Sequence, residues 1–543
     1  MKKKLWIGII LAIGLLAVLL AGPVYGGATA QERGASGDVV PDSYIVVLQD
    51  GASADDVASA HGVARKHLYS SVFNGFSGKV PPGRVDALRN DPRVVSVSAN
   101  HRVQADPESD APGGNGKGGG NDKEGGGKNK PPKVTISSPS EGQVFSSGAS
   151  IDFAGSASDN EDGDLTADLA WTSDGVSIGS GSSFSATLSD GDHTITATVT
   201  DSGDKSSTDS VSITVGSASD PAPPPSSQVV PSGVARIGAD KVALTGTGVG
   251  VAIVDSGIDL NHPDLNVSGN CFTAYASCQD DAGHGTHVAG IVAALDNDSD
   301  VVGVAPGATL YAVKVLSSTG GGTWADVVAG LDWVLANQAS IRVVNMSLGS
   351  KAFDGDDFIG IAIGRLHDAG ISVVVSAGNA AGDEISDRVP ARFADTMAIA
   401  STTAKDGSNT AKGPWGKIAP IAADTASYFT TDGAGVTVSA PGESHEDIVS
   451  GGFIQGTGIL SLKLGGGTTR MSGTSMSAPH VAGVVALLVQ EAGGTLAPEA
   501  ARIALNSTAV RQGDAPLDSP AGGYSFDGTR EGVLDAVAAL AAP

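Results

Sequence analysis

The segment Val249-Gly-Val-Ala-Ile-Val254 is an apolar run that ends on Asp255-Ser-Gly257. Such a run, closed by turn-forming residues, is typical of a strand that is buried on both faces of a sheet. Similar strand-like runs follow and alternate with helix-like stretches; strands are predicted at 310–316, 341–346 and 371–375, and helices at 285–295, 325–337 and 358–369. This alternation predicts an α/β domain with a doubly wound, mostly parallel sheet and helices on both faces.

Three segments of this domain carry the groups of a nucleophilic hydrolase. Asp255 ends the first strand, at the sheet edge where α/β proteins bind ligands. The others are Gly283-His284-Gly-Thr-His-Val-Ala-Gly290 and Gly473-Thr-Ser475-Met-Ser-Ala-Pro479. A serine hydroxyl is a weak nucleophile near neutral pH, so an imidazole must take its proton and a carboxylate must orient that imidazole. Ser475 also opens an apolar helix, whose positive end suits a developing oxyanion.

A fourth segment, Val373-Val-Val-Ser-Ala-Gly-Asn379, lies between the histidine and the serine. The four segments in this order resemble those of the subtilisin-like serine peptidases, or subtilases. The resemblance implies that Asp255 is the orienting acid, His284 the general base, Ser475 the nucleophile and Asn379 the oxyanion donor. It implies a serine endopeptidase that hydrolyses protein or peptide substrates through an acyl-enzyme. His287 would be a structural residue of the helix.

Other readings of these residues are weaker. His284 and His287 lack the glutamate of a His-Glu-x-x-His zinc motif, and no cysteine pair at zinc-ligand spacing lies nearby. Gly246-Thr-Gly-Val-Gly250 precedes its strand, whereas a dinucleotide-binding loop follows one. The serine segment lacks the second glycine of the Gly-x-Ser-x-Gly esterase elbow. A secreted binding protein with an inactive protease fold and an active esterase remain the rival functions.

The resemblance also indicates where a substrate binds. Two segments look like the edges between which a peptide is held as an added strand: Ser347, Leu348 and Gly349 on one side, and Gly320, Gly321 and Gly322 on the other. The chain departs from the family in the loop 380–389, which carries Asp383, Glu384, Asp387 and Arg388, and in apparent insertions at 406–425 and 446–464.

A structural calcium site is expected from the same resemblance. Asp264 and Asn297 would supply side-chain oxygens, and the loop carbonyls would supply the rest; the expected set is Asp264, Leu295, Asn297, Ser299 and Val301. The alternative is an acidic loop that binds no ion.

The composition limits the partners and the compartment. The net charge of −26 over 543 residues argues against a nucleic-acid partner. Three lysines before an apolar run and Ala28-Thr-Ala30 predict a signal peptide at 1–30 and a secreted, extracellular protein, with an uncleaved anchor as the alternative. In an oxidising compartment the two cysteines, Cys271 and Cys278, are expected to form a disulfide; two free thiols are the alternative.

The remaining segments predict a multidomain precursor. Residues 42–105 read as a split βαβ, with strands predicted at 44–48, 74–80 and 94–97 and helices at 53–61 and 82–89. They resemble the subtilase propeptide, which inhibits its own protease. A Gly-rich linker at 107–131, an immunoglobulin-like β-sandwich at 132–216 and a Pro-rich linker at 217–228 precede the catalytic domain at 229–543. The sandwich is a candidate for contact with a cell surface or a polymer, and the protein is expected to be a monomer. Self-cleavage is expected between about Ala99 and Pro107.

Overall fold

A computed structural model of the chain describes residues 38–105, 132–216 and 228–542, apart from gaps at 140–142, 147, 149, 160–161, 190, 204, 410–411, 414–415, 418, 449–453, 512–514 and 522–529. The signal peptide predicted at 1–30, the linker at 107–131 and nearly all of the linker at 217–228 lie outside the described residues. Within the described ranges, no helix is both long and apolar enough to cross a membrane.

The N-terminal domain is an antiparallel sheet with two helices on one face. Its elements in chain order are β1 (Val39–Leu48), α1 (Ala54–His61), β2 (Ala64–Tyr69), β3 (Gly75–Lys79), α2 (Val85–Arg89) and β4 (Val94–Ala105). Ser53 caps α1 by accepting a hydrogen bond from the Asp56 N–H at 3.2 Å, and Gly62 ends the helix in the left-handed region.

The strand β2 was not predicted from the sequence, and β4 is longer than the strand predicted there. β2 lacks an apolar alternation, and most of its side chains are exposed. It forms because it pairs with β3 and because Tyr69, its last residue, is buried against the catalytic domain. The strand expected at 94–97 continues to Ala105 for a similar reason, since its second half pairs with another domain. Local propensity could not reveal either contact.

The second domain is a β-sandwich. One sheet has the strand order β10-β9-β12-β13-β6 and the other the order β11-β7-β5, with β8 beside β7. Trp171 is fully buried between the sheets, and its ring packs edge-on against Phe153 and Phe184. The strands are β5 (Lys133–Ser138), β6 (Gln143–Ser146), β7 (Ile151–Asp159), β8 (Gly163–Asp164), β9 (Ala170–Ser173), β10 (Val176–Ser180), β11 (Ser183–Ala186), β12 (Gly191–Thr200) and β13 (Ser206–Gly216).

The C-terminal domain has the expected α/β alternation. Its elements as far as the centre of the sheet are α3 (Ser232–Arg236), β14 (Gly250–Asp255), β15 (Phe272–Thr273), α4 (His284–Ala293), β16 (Thr309–Lys314), β17 (Gly321–Thr323), α5 (Trp324–Ala336), β18 (Val343–Met346), β19 (Leu348–Lys351), α6 (Asp357–Asp368) and β20 (Ser372–Ser376). The rest are β21 (Arg388–Val389), β22 (Thr396–Thr403), β23 (Lys412–Gly413), β24 (Gly416–Lys417), β25 (Val436–Ile448), β26 (Ile454–Leu462), β27 (Thr468–Met471), α7 (Thr474–Glu491), α8 (Pro498–Thr508) and α9 (Ala536–Leu540).

The main sheet has the strand order β15-β16-β14-β18-β20-β22-β25-β26-β27, parallel as far as β25 and antiparallel beyond it. Its two faces carry separate cores. Val251 and Ile253 of β14 face the core that contains α4 and α7, while Ala252 and Val254 face the core that contains α5 and α6. Because both faces are covered, the strand is apolar throughout, and the carboxyl edge of the sheet remains as the place for polar groups.

Helix α5 also binds the N-terminal domain. The Asp332 carboxylate on α5 accepts hydrogen bonds from three consecutive backbone N–H groups, those of Ser70, Ser71 and Val72, at 2.9, 2.6 and 2.9 Å. Near the start of α5, Asp326 pairs with Lys66 and His67, both at 2.6 Å. These acceptors hold β2 and the turn that follows it against the C-terminal domain.

The antiparallel extension of the main sheet buries two carboxyl groups. Glu443 and Glu446 on β25 are both fully buried. Burial, followed by the charge of Glu446, raises the pKa of Glu443 well above its ordinary value. Burial raises the pKa of Glu446 to about 8, although its Oε1 accepts a hydrogen bond from the Tyr428 N–H at 3.1 Å. Both groups therefore favour the protonated form in the folded protein.

This predicts a loss of stability at alkaline pH. A carboxyl group whose pKa is raised by folding stabilises the protein fully below its ordinary pKa, and that stability is lost as the pH rises through about 8. In a Ser475→Ala background, Glu446→Gln should reduce the fall in thermal midpoint between pH 6 and pH 10, with roughly 1–3 kcal/mol recovered at the upper end. Differential scanning calorimetry measures this fall. The exposed Glu499 supplies a control in Glu499→Gln, and parallel pH curves for the two variants would contradict the expectation.

Candidate active site

Asp255 and His284 meet at the carboxyl edge of the sheet. Asp255 is the last residue of β14 and is fully buried, and His284 is the first residue of α4. The His284 Nδ1 lies 2.8 Å from Asp255 Oδ1 and 3.0 Å from Oδ2. With this carboxylate as acceptor, Nδ1 carries a proton and Nε2 is left as the basic nitrogen.

Asp280, which the sequence analysis did not select, ties these two residues together. Its Oδ1 accepts from the Ser256 hydroxyl at 2.9 Å and from the Gly283 N–H at 3.0 Å. Its Oδ2 accepts from the N–H and hydroxyl of Thr286 at 2.9 and 2.6 Å. One buried carboxylate thus links the residue after Asp255 to the first turn of α4. An Asp a few residues before a helix is a capping signal that could have identified it.

Lys314 is a second positioning residue that sequence reasoning missed. It is almost completely buried at the end of β16, where lysine is rare. Its Nζ donates to the Ser256 carbonyl, pairs with Asp281 at 2.5 Å and lies 5.4 Å from the centre of the Tyr275 ring. The buried cation therefore holds the backbone directly after Asp255.

Ser475 lies in the first turn of α7, next to Asn379 at the end of the strand β20. The Asn379 Oδ1 accepts from the Thr474 N–H at 2.9 Å and from the Thr474 hydroxyl at 2.8 Å. A backbone N–H can only donate, so this contact assigns the oxygen of the amide and leaves Nδ2 as a donor. A Cβ on Gly473 would lie 2.9 Å from that Nδ2, and the φ of Gly473 is +145°. Only glycine permits this approach.

Pro479 explains how the backbone of Ser475 is held. A proline has no N–H, so the carbonyl four residues earlier, that of Ser475, loses its helical partner. The Ser347 hydroxyl donates to this carbonyl at 2.8 Å, and Asn345 Nδ2 donates to the Ser347 oxygen at 2.9 Å. In turn the Ser475 hydroxyl donates to the Ser347 carbonyl at 3.3 Å.

The two expected substrate edges lie on either side of the end of β4. Gly321 and Gly322 on β17 pair antiparallel with Gln104 and Val103. On the other side, Leu348 and Gly349 on β19 pair with Ala105 and Gln104. The Ala105 N–H donates to the Gly320 carbonyl at 2.8 Å. The tail of the N-terminal domain is therefore a strand inserted between both edges.

His287 and His480 are buried neutral residues. Burial lowers the pKa of His287 to about 3 and that of His480 to about 4. The His287 ring contacts the Ile459 carbonyl at 3.1 Å, and the His480 ring contacts the Met476 carbonyl at 2.7 Å. Both rings therefore act as hydrogen-bonding core residues, which supports the choice of His284 as the base.

The expected disulfide between Cys271 and Cys278 is confirmed, with an S–S distance of 2.04 Å. The Asp280 carboxylate follows it by two residues. The bridge closes the loop that leads into α4.

The candidate calcium residues bring several oxygen atoms close together. Asp264 is buried, and its carboxylate faces the Asn297 side chain and the backbone N–H groups of Leu295 and Val301. Burial raises the pKa of Asp264 to about 6. The carbonyls of Leu295 and Val301 converge on Gln228 Nε2, which donates to both. A buried carboxylate near convergent carbonyls is a donor set that suits a hard cation.

The other two expected ligands fit less directly. Asn297 uses its Oδ1 to accept from the Ser299 N–H at 3.0 Å, and both side chains are exposed. Within the ranges described, no group of three or more His, Cys, Asp or Glu side chains could hold a metal ion.

Comparison with known proteins assigns each domain to a family. Residues 246–523 match the Subtilase family, residues 43–106 match Peptidase inhibitor I9, and residues 132–197 match a Bacterial Ig domain.

Individual relatives agree with this assignment. Subtilisin DY of Bacillus licheniformis is 37% identical over 295 residues, which are 53% of this chain and 94% of that protein. Subtilisin of Bacillus pumilus is 36% identical over 272 residues, or 49% of this chain and 86% of that protein. Thermostable alkaline protease of Halalkalibacterium halodurans is 36% identical over 267 residues, or 48% of this chain and 63% of that protein.

The expected resemblance is thus confirmed for all three domains. The subtilase match alone spans more than half of the chain. The chain therefore belongs to the subtilase family and is a subtilisin-like serine endopeptidase zymogen, with an inhibitory propeptide domain and an immunoglobulin-like domain.

Proposed function

We propose that the chain is secreted as a zymogen and hydrolyses peptide bonds through an acyl-enzyme formed on Ser475. The main support is the hydrogen bond of His284 to the buried Asp255, together with the pairing of β4 with the strand β19, which directly follows Ser347, the residue that contacts Ser475. In this mechanism Asp255 holds the Nδ1 proton, and His284 Nε2 takes the proton of the Ser475 hydroxyl as its oxygen attacks the substrate carbonyl.

The oxyanion is proposed to form between two donors. One is the Asn379 Nδ2, whose orientation follows from the contact of Oδ1 with the Thr474 N–H. The other is the Ser475 backbone N–H at the positive end of α7. His284 then returns its proton to the leaving amine, and a water activated by the same imidazole releases the acyl group.

Inhibition by the propeptide and cleavage of the zymogen are proposed to occur in the same cleft, the one between the two substrate edges. The propeptide tail is proposed to occupy the substrate edges first as a substrate and then as a bound product. Self-cleavage is proposed between about Ala99 and Pro107, and because Ala105 still pairs with Leu348, a bond beyond Ala105 is favoured within that range. The sandwich would then stay on the mature enzyme, with a second cut at 216–230 releasing the bare protease. Extracellular action and a monomeric state are part of the proposal.

Removing the triad groups should abolish processing and turnover together. Ser475→Ala or His284→Ala is expected to reduce kcat by about 10⁶-fold, the magnitude known for subtilisin, and to leave the secreted chain covalently continuous. Intact mass and peptide hydrolysis measure both effects.

Asn379→Leu should cost about 10²–10³-fold in kcat. Asn379→Asp keeps the acceptor for Thr474 but lacks the amide donor, so a nearly normal kcat for this variant would contradict the oxyanion role.

Propeptide inhibition should depend on Asp332. Replacing this acceptor of three backbone N–H groups by alanine is expected to raise the inhibition constant of residues 38–105 against the processed enzyme about 10- to 100-fold. Asp332→Asn keeps one oxygen acceptor and should show a smaller effect. Equal inhibition constants for all three enzymes would show that this contact does not hold the propeptide.

Calcium is proposed to bind Asp264 and the carbonyls of Leu295 and Val301. A bound ion would clamp the loop 295–301 to the start of the catalytic domain. Turning the Gln228 amide by 180° would direct its oxygen toward the ion, so Gln228 is proposed as an additional ligand. Asn297 and the carbonyl of Ser299 complete the proposed set.

Chelation should therefore destabilise the protein. With Ser475→Ala as background, EDTA is expected to lower the thermal midpoint by roughly 5–10 °C at pH 8. The effect should shrink below about pH 6, because protonation of Asp264 competes with the ion. Asp264→Asn should remove most of the response, whereas Asp296→Asn, an exposed neighbour in the same loop, should retain it. An EDTA response that is unchanged in Asp264→Asn would refute the site.

A further inference from the structure

Lys314 places a positive charge beside the strand that carries Asp255. The two residues lie opposite each other in the parallel pair of β14 and β16. Ile253 and Ala312 face the core that contains α4, so Asp255 and Lys314, each two residues further along its strand, lie on that same face. Lys314 Nζ donates to the carbonyl of Ser256, the residue that follows Asp255. The ammonium charge therefore lies one residue beyond the end of β14.

This positive charge is shielded from water. No other lysine or arginine in the described ranges is buried, and 2% of the Lys314 side chain is exposed. The Tyr275 ring lies over Nζ, with its centre 5.4 Å away. The counter-ion is Asp281, whose Oδ1 lies 2.5 Å from Nζ but whose side chain is 53% exposed. Because water screens an exposed charge more strongly than a buried one, the two charges do not cancel inside the protein.

Other charged or titratable groups surround the imidazole of His284. They are Asp255 on β14, Asp259 on the loop after it, Asp280 and Asp281 before α4, His287 in α4, Lys463 in the turn between β26 and β27, Arg470 on β27 and His480 in α7. The two histidines are neutral, because burial lowers the pKa of His287 to about 3 and that of His480 to about 4. Substitution of Lys314 or Asp281 alone leaves all the remaining groups in place, so it isolates the effect of this ion pair.

We propose that Lys314 is an electrostatic positioning residue that disfavours the imidazolium form of His284, and that Asp281 limits this effect. The inference rests on the proposed peptidase function. A positive charge near a histidine favours the neutral ring, which is the form that accepts the proton of Ser475. Asp255 alone favours the charged ring. Lys314 therefore keeps the base active at a lower pH than Asp255 alone would allow.

The test is the pH dependence of kcat/KM for the processed enzyme, measured with an uncharged peptide substrate, because the acidic limb then reports the base of the free enzyme. Lys314→Met keeps an apolar side chain but removes the charge, and it should raise the midpoint of this limb by about 0.5–1 pH unit. Asp281→Asn leaves the ammonium group unpaired and should lower the midpoint by about 0.2–0.5 pH unit. The midpoint of the double variant should lie between those of the two single variants.

The midpoint separates an electrostatic role from a purely structural one. Lys314→Met also removes the donor to the Ser256 carbonyl, so kcat on the plateau should fall, but the midpoint does not depend on the height of the plateau. Asp357→Asn is the matched control. It makes the same change of charge at the exposed start of α6, which packs on the other face of the sheet, and should move the midpoint by less than about 0.1 pH unit.

Opposite shifts in Lys314→Met and Asp281→Asn support the inference. Shifts in the same direction, or a lower plateau with an unchanged midpoint in Lys314→Met, overturn it and leave the peptidase function intact. An unchanged midpoint in Asp281→Asn also overturns it, and this result decides the question by itself where Lys314→Met does not fold. Failure of the wild-type enzyme to hydrolyse any peptide overturns the proposed peptidase function and this inference with it.

Discussion

The hydrogen bond from the Thr474 N–H to Asn379 Oδ1 is the contact on which the geometry of the site depends. It joins the end of the strand β20 to the first residue of α7, and so relates the two elements that carry the proposed oxyanion donors. It also determines which way the Asn379 amide points, because a backbone N–H accepts nothing. Gly473 makes the contact sterically allowed. Ser475, the proposed nucleophile, is thereby positioned by backbone and amide groups that need no reorganisation during the proposed reaction.

Around this contact, buried polar groups do the positioning that an apolar core cannot do. Asp280 links the backbone near Asp255 to the start of α4, and Lys314 holds the Ser256 carbonyl from the other side. Each has its charge satisfied by several partners, which is the condition for burying a charge at acceptable cost. Hydrophobic packing brings the elements together, but these directional bonds set the angles between their ends.

The two proposed substrate edges bind the end of β4 through backbone pairing. β17 and β19 are short strands with open edges, and β4 satisfies their backbone groups. Pairing of this kind uses only backbone N–H and carbonyl groups. The inhibitory tail therefore needs only an extended conformation to bind. The carboxylates of Asp326 and Asp332 bind the same domain at a distance from the cleft, and this second attachment raises the effective concentration of the tail at the active site.

The sequence alone was sufficient for the α/β class, the three domain types and the disulfide, and it supplied the triad that remains a proposal. These depend on local patterns: apolar strands, turn residues at strand ends, a helix start at Ser475. It was not sufficient for β2, for the length of β4 or for the roles of Asp280, Lys314 and Gln228. Those features arise from contacts between segments far apart in the chain, and no local pattern records them. Arg388 is an example of both kinds of information. The sequence gives its charge, but its contact with Gly378 forms only when β21 pairs with β19.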